Sequence, residues 1–229
     1  MQKDPLIVED LTLLMFDDAS GAIAGAGTLY YAQGGAVLVE LARAGRLRVD
    51  RRDVGMDGVR VHAVAGAPLS DPVLREAHRK VSARTRGVNT LLIEIGTGLR
   101  ETVLDRLVER GMVRRERRKV LGLFPATSLS AADTRHKEAL LESVRAVLVD
   151  EEEPDGRTAA LIGLLSASGT LPSLHRVIPW SGKVYRRAKR LEQDSWGAEA
   201  VNTAVLRTLA AVTAGTAGTA GTAAAVTTD

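Results

Sequence analysis

The 229-residue chain contains no cysteine, which excludes disulfides, thiolate catalysis and cysteine-ligated metal centres. Aromatic residues are scarce, with two Trp, three Tyr and two Phe, so Leu, Val and Ala must fill the core. That composition favours helix packed on helix over an aromatic-rich sandwich. No run of about 18 apolar residues occurs, so no segment reads as a transmembrane helix. The opening stretch, MQKDPLIVEDLTLLMF, carries acids inside its apolar positions and lacks an A-x-A cleavage site. It therefore reads as part of the fold rather than a leader, and a cytoplasmic location is expected. Both the length and the 45% apolar fraction suit one well-buried core, or at most two closely packed subdomains.

Motifs for chemistry are equally sparse. His62, His78, His136 and His175 fall at no ligand spacing, and neither H-x-x-x-H nor H-E-x-x-H occurs. No metal site is expected. Gly182-Lys183 lacks the upstream glycine of a phosphate-binding loop, and Gly25-x-Gly27 and Gly96-x-Gly98 lack the third glycine of a dinucleotide fingerprint. There is no G-x-S-x-G. Asp17-Asp18 and the Glu151–Glu153 run read as solvated loops. No enzyme and no cofactor is predicted.

What is present is helical periodicity. Pro5 suits the opening turn of a first helix over 5–16, and residues 17–27 read as a glycine-rich turn or short hairpin. A strong helix follows over 28–44, ended by Gly45. Alternation at 46–50 and 59–63 predicts a hairpin with RRDVGMDG as its turn. Ser70-Asp71-Pro72 starts a helix over about 72–84. Further helices are expected over 89–95, 99–110, 130–149, 155–167, 183–193 and 196–213, with Gly111 closing the fourth of the chain's longer ones. The fold class is therefore mainly α, a compact helical core with two small β-hairpins. A domain over 1–213 is expected, followed by a flexible low-complexity Thr/Ala/Gly tail over 214–229 with too little apolar surface to order itself. The segments LARAGRLRVDRR (41–52) and LVERGMVRRERR (107–118) share a helix–Gly–strand–arginine pattern. A common packing solution explains this better than an internal duplication.

The net charge of +3 is mild, and its distribution says more. Arg114, Arg115, Arg117, Arg118 and Lys119 lie within six residues, interrupted only by Glu116, at the expected tip of the second hairpin. Val120, Leu121, Leu123 and Phe124 follow. Five like charges so close repel one another unless a partner neutralises them. They could form a solvated turn whose apolar strand packs inward, or a surface for anionic lipid. A second cluster, Arg186, Arg187, Lys189 and Arg190, reads as a solvated helix face.

The segments DLTLLMFDDASG, VLVELARAGRLRVD, RETVLDRLVERGMV, LFPATSL and KEALLESVRAVL occur in the order and spacing of the Golgi phosphoprotein 3 family, which this sequence resembles over about 6–213. The stretch 38–47 and the V-E-R-G at 108–111 are the most specific pieces. The resemblance implies an all-helical core with small hairpins, no enzymatic activity, and peripheral membrane binding through phosphatidylinositol 4-phosphate. The arginine-rich, lysine-poor, tail-repeated chain is similar to the family's bacterial members. Of the family's four headgroup-pocket positions, the Trp falls at Gly25 or Ala26, one Arg at Gly34 and another at Thr97, leaving only Arg100.

A non-enzymatic peripheral membrane protein is therefore expected at the inner face of a membrane. It would bind phosphatidylinositol 4-phosphate or another anionic lipid and could serve as an adaptor for membrane clients. Arg100, Arg114, Arg115, Arg117, Arg118 and Lys119 would contact headgroups, while Leu121, Leu123 and Phe124 would serve membrane insertion or self-association. The 112–124 hairpin is also a candidate homo-oligomer contact. The rivals are a winged-helix-like DNA-binding protein and a self-associating scaffold without lipid binding. Against nucleic acid, helix 99–110 carries Glu101, Asp105 and Glu109 beside its arginines.

Overall fold

The computed structural model describes residues 4–55, 57–120 and 124–194. Its first helix, α1 (Ile7–Met15), is the most buried element. All nine of its residues are buried, acids included, and α1 packs against α2 (Leu29–Arg43), α5 (Leu99–Glu109), α6 (Arg135–Leu148) and α7 (Gly156–Ala167). Most of α2 and α7 is likewise buried, and these three helices contact one another pairwise. Around this centre lie α3 (Pro72–Ala83), α4 (Val88–Gly96), α5, α6 and α8 (Gly182–Asp194), most of which bury only a stripe. A short 3₁₀ turn, Leu171–Leu174, connects α7 towards α8. The mainly α expectation is met.

Local signals set most boundaries. Pro72 takes the first turn of α3, and Asp71 caps it by accepting from the Val73 amide at 2.9 Å. Asp155 caps α7 in the same way, accepting from Arg157 at 2.6 Å and Thr158 at 3.0 Å. The two helix–Gly–strand units end alike. Gly45 and Gly111 adopt positive φ, and each closes a Schellman turn with paired bonds back to the last helical turn. Their likeness is this shared stop signal.

Two small antiparallel sheets flank the helices. Strands β1 (Leu47–Gly55), β2 (Gly58–Ala63) and β3 (Arg86–Gly87) form one, in the order β1-β2-β3. Here the sequence reading needs two corrections. β1 continues through the expected turn, with its register interrupted between Asp50 and Val54, and pairs Gly55 with Gly58. β3 was not anticipated because two residues carry no periodicity. The second sheet is the hairpin of β4 (Val113–Val120) and β5 (Phe124–Ala131). Because Ser130 and Ala131 pair with Arg114 and Val113, α6 begins at Arg135 and not near 130. The expected helix over 196–213 and the tail over 214–229 lie outside the described residues.

The packing of α2 on α4 depends on backbone proximity. A β-carbon on Gly34 would overlap the Leu92 carbonyl oxygen, and one on Gly96 would overlap that of Tyr30. Interiors this dense yield little to added atoms.

At the N-terminal end of α1 sit two fully buried acids, Glu9 and Asp10. Successive helical residues point about 100° apart, so the two meet different partners. Glu9 accepts from Arg106 of α5 at 3.0 Å, from Arg110, the residue that caps the end of α5, at 2.7 Å, and from the Leu6 amide at 2.8 Å. Asp10 accepts from Arg157 of α7 at 2.5 Å, and its other oxygen lies 2.7 Å from His136 Nε2 of α6. Burial works against the Arg106 charge, but its bonds to Asp71 and Glu9 outweigh that and raise its pKa above the usual arginine value. Replacing Asp10→Asn should cost about 3–5 kcal/mol in urea unfolding, because Arg157 then keeps its charge beside a neutral amide. Glu76→Gln, which breaks only the exposed pair with Arg79, should cost under about 1 kcal/mol. Equal losses would refute a structural role for the buried network.

Candidate functional site

The β4–β5 hairpin carries the basic run. Its register is unbroken from Val113 opposite Ala131 to Val120 opposite Phe124, a ribbon about 26 Å long at about 3.3 Å per residue. Among the residues whose burial is described, its base joins the core: Val113 is buried, while Leu129 and Ala131 pack partly against the same cluster. The basic residues therefore run along β4, opposite residues 125–130, and do not form a tip as the sequence suggested. Leu121 and Leu123 lie outside the described residues. Phe124 opens β5, but its side chain, like those of Arg117, Arg118 and Lys119, is outside the description.

The inner arginines divide between the two faces of the ribbon, since neighbouring strand residues point opposite ways. Arg114 is exposed. Arg115 reaches α5, where its guanidinium lies 2.8 Å from Asp105 and 3.3 Å from Glu101. This pair of contacts sets the ribbon's angle against the helix and partly neutralises Arg115. Arg100 is exposed in the first turn of α5, with Glu101 its nearest acid at 3.7 Å. The other basic residues of α5 are turned inward: Arg106 and Arg110 are committed to Glu9. The outer surface of α5 is left with exposed Glu101, Asp105 and Glu109.

A cleft of about 640 Å³ opens between α3, the end of α4 and α5, lined in part by Val73, Lys80, Thr97, Leu99 and Arg106. Its cations are already occupied. Lys80 donates to the Glu94 carbonyl at 2.6 Å, and Arg106 is held by Glu9 and Asp71. Among the described residues no three His, Asp or Glu side chains group to hold a metal ion, and no helix is long and apolar enough to cross a membrane.

The second basic cluster is partly internal. Arg187 donates to the Glu151 and Glu152 carbonyls at 3.1 and 2.7 Å, and Lys189 pairs with Glu192 at 2.8 Å. Arg186 and Arg190 are exposed. Sequence reasoning missed the exposed Val177 and Trp180 just before this helix and Tyr185 in its first turn. The available signal was Ile-Pro-Trp at a helix break, where an aromatic residue has no periodic face to join.

A family model described as Golgi phosphoprotein 3 matches residues 7–208, nearly all of the helical fold and the hairpin. The chain belongs to the Golgi phosphoprotein 3 family. No individually curated protein matches it.

Within this Golgi phosphoprotein 3 fold, the positions to which the sequence comparison assigned a headgroup pocket do not converge on donors. Gly25 has φ of +66°, and a β-carbon there would lie 2.9 Å from the Thr170 methyl group. Gly34 is buried inside α2, against α4. Thr97 and Arg100 are exposed at the α4–α5 junction. An arginine is thus sterically free to return at 97 but not at 34. Thr97→Arg should leave the melting temperature nearly unchanged, as surface substitutions generally fall within about ±0.5 kcal/mol. Gly34→Ala should cost about 1–3 kcal/mol from overpacking, and Gly34→Arg more. A thermal melt of Gly34→Arg matching the parent would refute this account.

Proposed function

We propose that this Golgi phosphoprotein 3 family member is a non-enzymatic peripheral membrane protein. In this reading it docks on anionic lipid through the β4–β5 hairpin and Arg100 and can serve as an adaptor for membrane clients. The observation that carries the reading is the architecture of the hairpin: a two-stranded ribbon whose base packs on the core, with Arg114, Arg115, Arg117, Arg118 and Lys119 along one strand. Near a negatively charged surface each such residue contributes about 1 kcal/mol. Leu121, Leu123 and Phe124, which follow the basic run in sequence, would supply shallow apolar insertion or a contact between copies.

The same geometry argues for charge attraction over stereospecific recognition. A phosphoinositide headgroup needs several converging donors, and of the residues compared only Arg100 remains. Phosphatidylinositol 4-phosphate should therefore hold less than about a tenfold advantage over another anionic lipid at equal charge density, under about 1.4 kcal/mol.

The winged-helix reading loses support in the folded chain. A recognition helix must present cations to phosphates, whereas α5 turns Arg106 and Arg110 inward and presents Glu101, Asp105 and Glu109. The scaffold reading is tested along with the first.

Changing Arg114, Arg115, Arg117, Arg118 and Lys119 together to Ser should weaken sedimentation with phosphatidylglycerol vesicles by at least about 100-fold, at about 1 kcal/mol per residue. Glu101→Gln with Asp105→Asn should strengthen it several-fold by removing charges that repel the bilayer and occupy Arg115. Native binding should fall steeply with salt, since screening sets in beyond about 8 Å at physiological ionic strength. A serine variant that binds vesicles like the parent but changes its mass in light scattering would make the hairpin an assembly device.

A further inference from the structure

The exposed aromatic residues before and within α8 have no place in the hairpin reading. Val177, Trp180 and Tyr185 are 43%, 45% and 49% exposed. The two rings meet edge to face, with centroids 6.2 Å apart and planes at 73°. Ser181 accepts from the Val184 amide at 3.2 Å, and so marks the start of α8. Trp180 and Tyr185 consequently occupy the two positions of a hydrophobic staple. The staple accounts for their contact with each other, but it leaves both outer faces bare. The stretch is firmly seated, because Ile178 and Val184 beside them are buried.

Helical spacing sorts the charges around these rings. Lys183, Arg187 and Arg190 fall on one flank of α8. There Lys183 pairs with Glu151 at 2.8 Å and Arg187 bonds the carbonyls of the same acidic loop. Tyr185 lies on the other flank, and Arg186 points furthest outward between the two. Arg176, also exposed, adjoins Val177. The aromatic patch thus has a basic rim and stands apart from the Glu151–Glu153 loop.

Its place in the fold relates it to the hairpin. The loop after α1 is clasped on one side by β5, where Gly21 abuts Leu129, and on the other by Thr170, which abuts Gly25. Arg176 lies close enough to Asp17 of that loop to add to the pull that the Ser20 hydroxyl and amide exert on its carboxyl. The hairpin base and the aromatic patch therefore border one loop.

We propose that Val177, Trp180 and Tyr185, rimmed by Arg176 and Arg186, form a second membrane contact that seats in the headgroup layer of an anionic bilayer. This rests on the lipid-binding reading above and adds a second point of attachment. Trp and Tyr have an apolar body and a polar edge, the combination that concentrates them at the membrane–water boundary. Three half-exposed side chains fall far short of the roughly 800 Å² per partner that a stable protein interface buries, which favours a lipid surface over a second copy.

Trp196→Phe leaves Trp180 as the single tryptophan of the full chain. With phosphatidylglycerol-containing vesicles, Trp180 emission should shift to the blue and be quenched by brominated acyl chains. Trp180→Ser with Tyr185→Ser should weaken vesicle binding at least about 10-fold. Arg176→Ser with Arg186→Ser, which leaves the staple intact, should weaken it several-fold. If the protein sediments with vesicles while Trp180 emission neither shifts nor quenches, the patch is overturned and the hairpin reading stands. If it does not sediment at all, both fall. If the serine pair changes mass in light scattering but not vesicle binding, the patch joins copies of the chain and the proposal is wrong.

Discussion

The helices of this fold are tied together by the contacts that Glu9 and Asp10 make inside the bundle. A lone buried carboxylate is expensive, and its cost falls only when cations and further donors meet it. Here the donors come from different parts of the chain: Arg106 and Arg110 on α5, Arg157 on α7, and His136 on α6 beside Asp10. Glu40 of α2 joins the same end by accepting from the Ile7 amide at 2.5 Å. Arg106 also holds Asp71, the cap of α3. One turn of α1 therefore fixes the relative positions of most of the helices. The acids also lie in the first turn of α1, where the helix dipole favours negative charge.

That network changes what the charge count means. The chain has 31 basic and 28 acidic residues, but several arginines that look available in sequence are consumed within the fold. On α5 the consequence is large. Its inward arginines leave an acidic outer surface, and the nearest strand answers with Arg115. The basic character along β4 is thus partly an internal matter, with Arg115 paired to Asp105 and Glu101 of the helix. Arg114, on the opposite face and exposed, is the described member of the run best placed for an external anion.

Much of the architecture was legible in the sequence because local rules decided it. The 28–44 helix ended at Gly45, the 72–84 helix began at Asp71-Pro72, and the helix before Gly111 stopped where expected. Each of these positions has a cap or a positive-φ turn that needs no tertiary partner. Errors arose where tertiary pairing decided. β1 ran on past its expected turn because Val54 and Gly55 found Val59 and Gly58 to pair with. The start of α6 slipped to Arg135 because β5 claimed Ser130 and Ala131. The basic residues were placed at a tip when they line a strand, since a run of charges carries no period from which strand length can be read. The exposed Trp180 was unreadable for a related reason: sequence gives a residue's type but not which face a helix break will turn outward.

The glycines explain why a family-wide site need not survive in every member. Gly34 and Gly96 let α2 and α4 approach until backbone meets backbone, and Gly25 adopts a left-handed conformation against Thr170. A larger side chain at 34 would need α2 and α4 to separate, so that one pocket position is coupled to the packing of the core, whereas Gly25 is limited by its left-handed backbone and the Thr170 methyl group. Restoring a headgroup site would take a repacked α2–α4 contact as well as new arginines. Charges on a two-stranded ribbon, such as exposed Arg114, carry no such coupling. Under the proposed function, basic residues could accumulate along β4 without disturbing the bundle, while an arginine at 34 would require α2 and α4 to repack. Attraction to lipid would then be carried by the part of the molecule whose sequence the core constrains least.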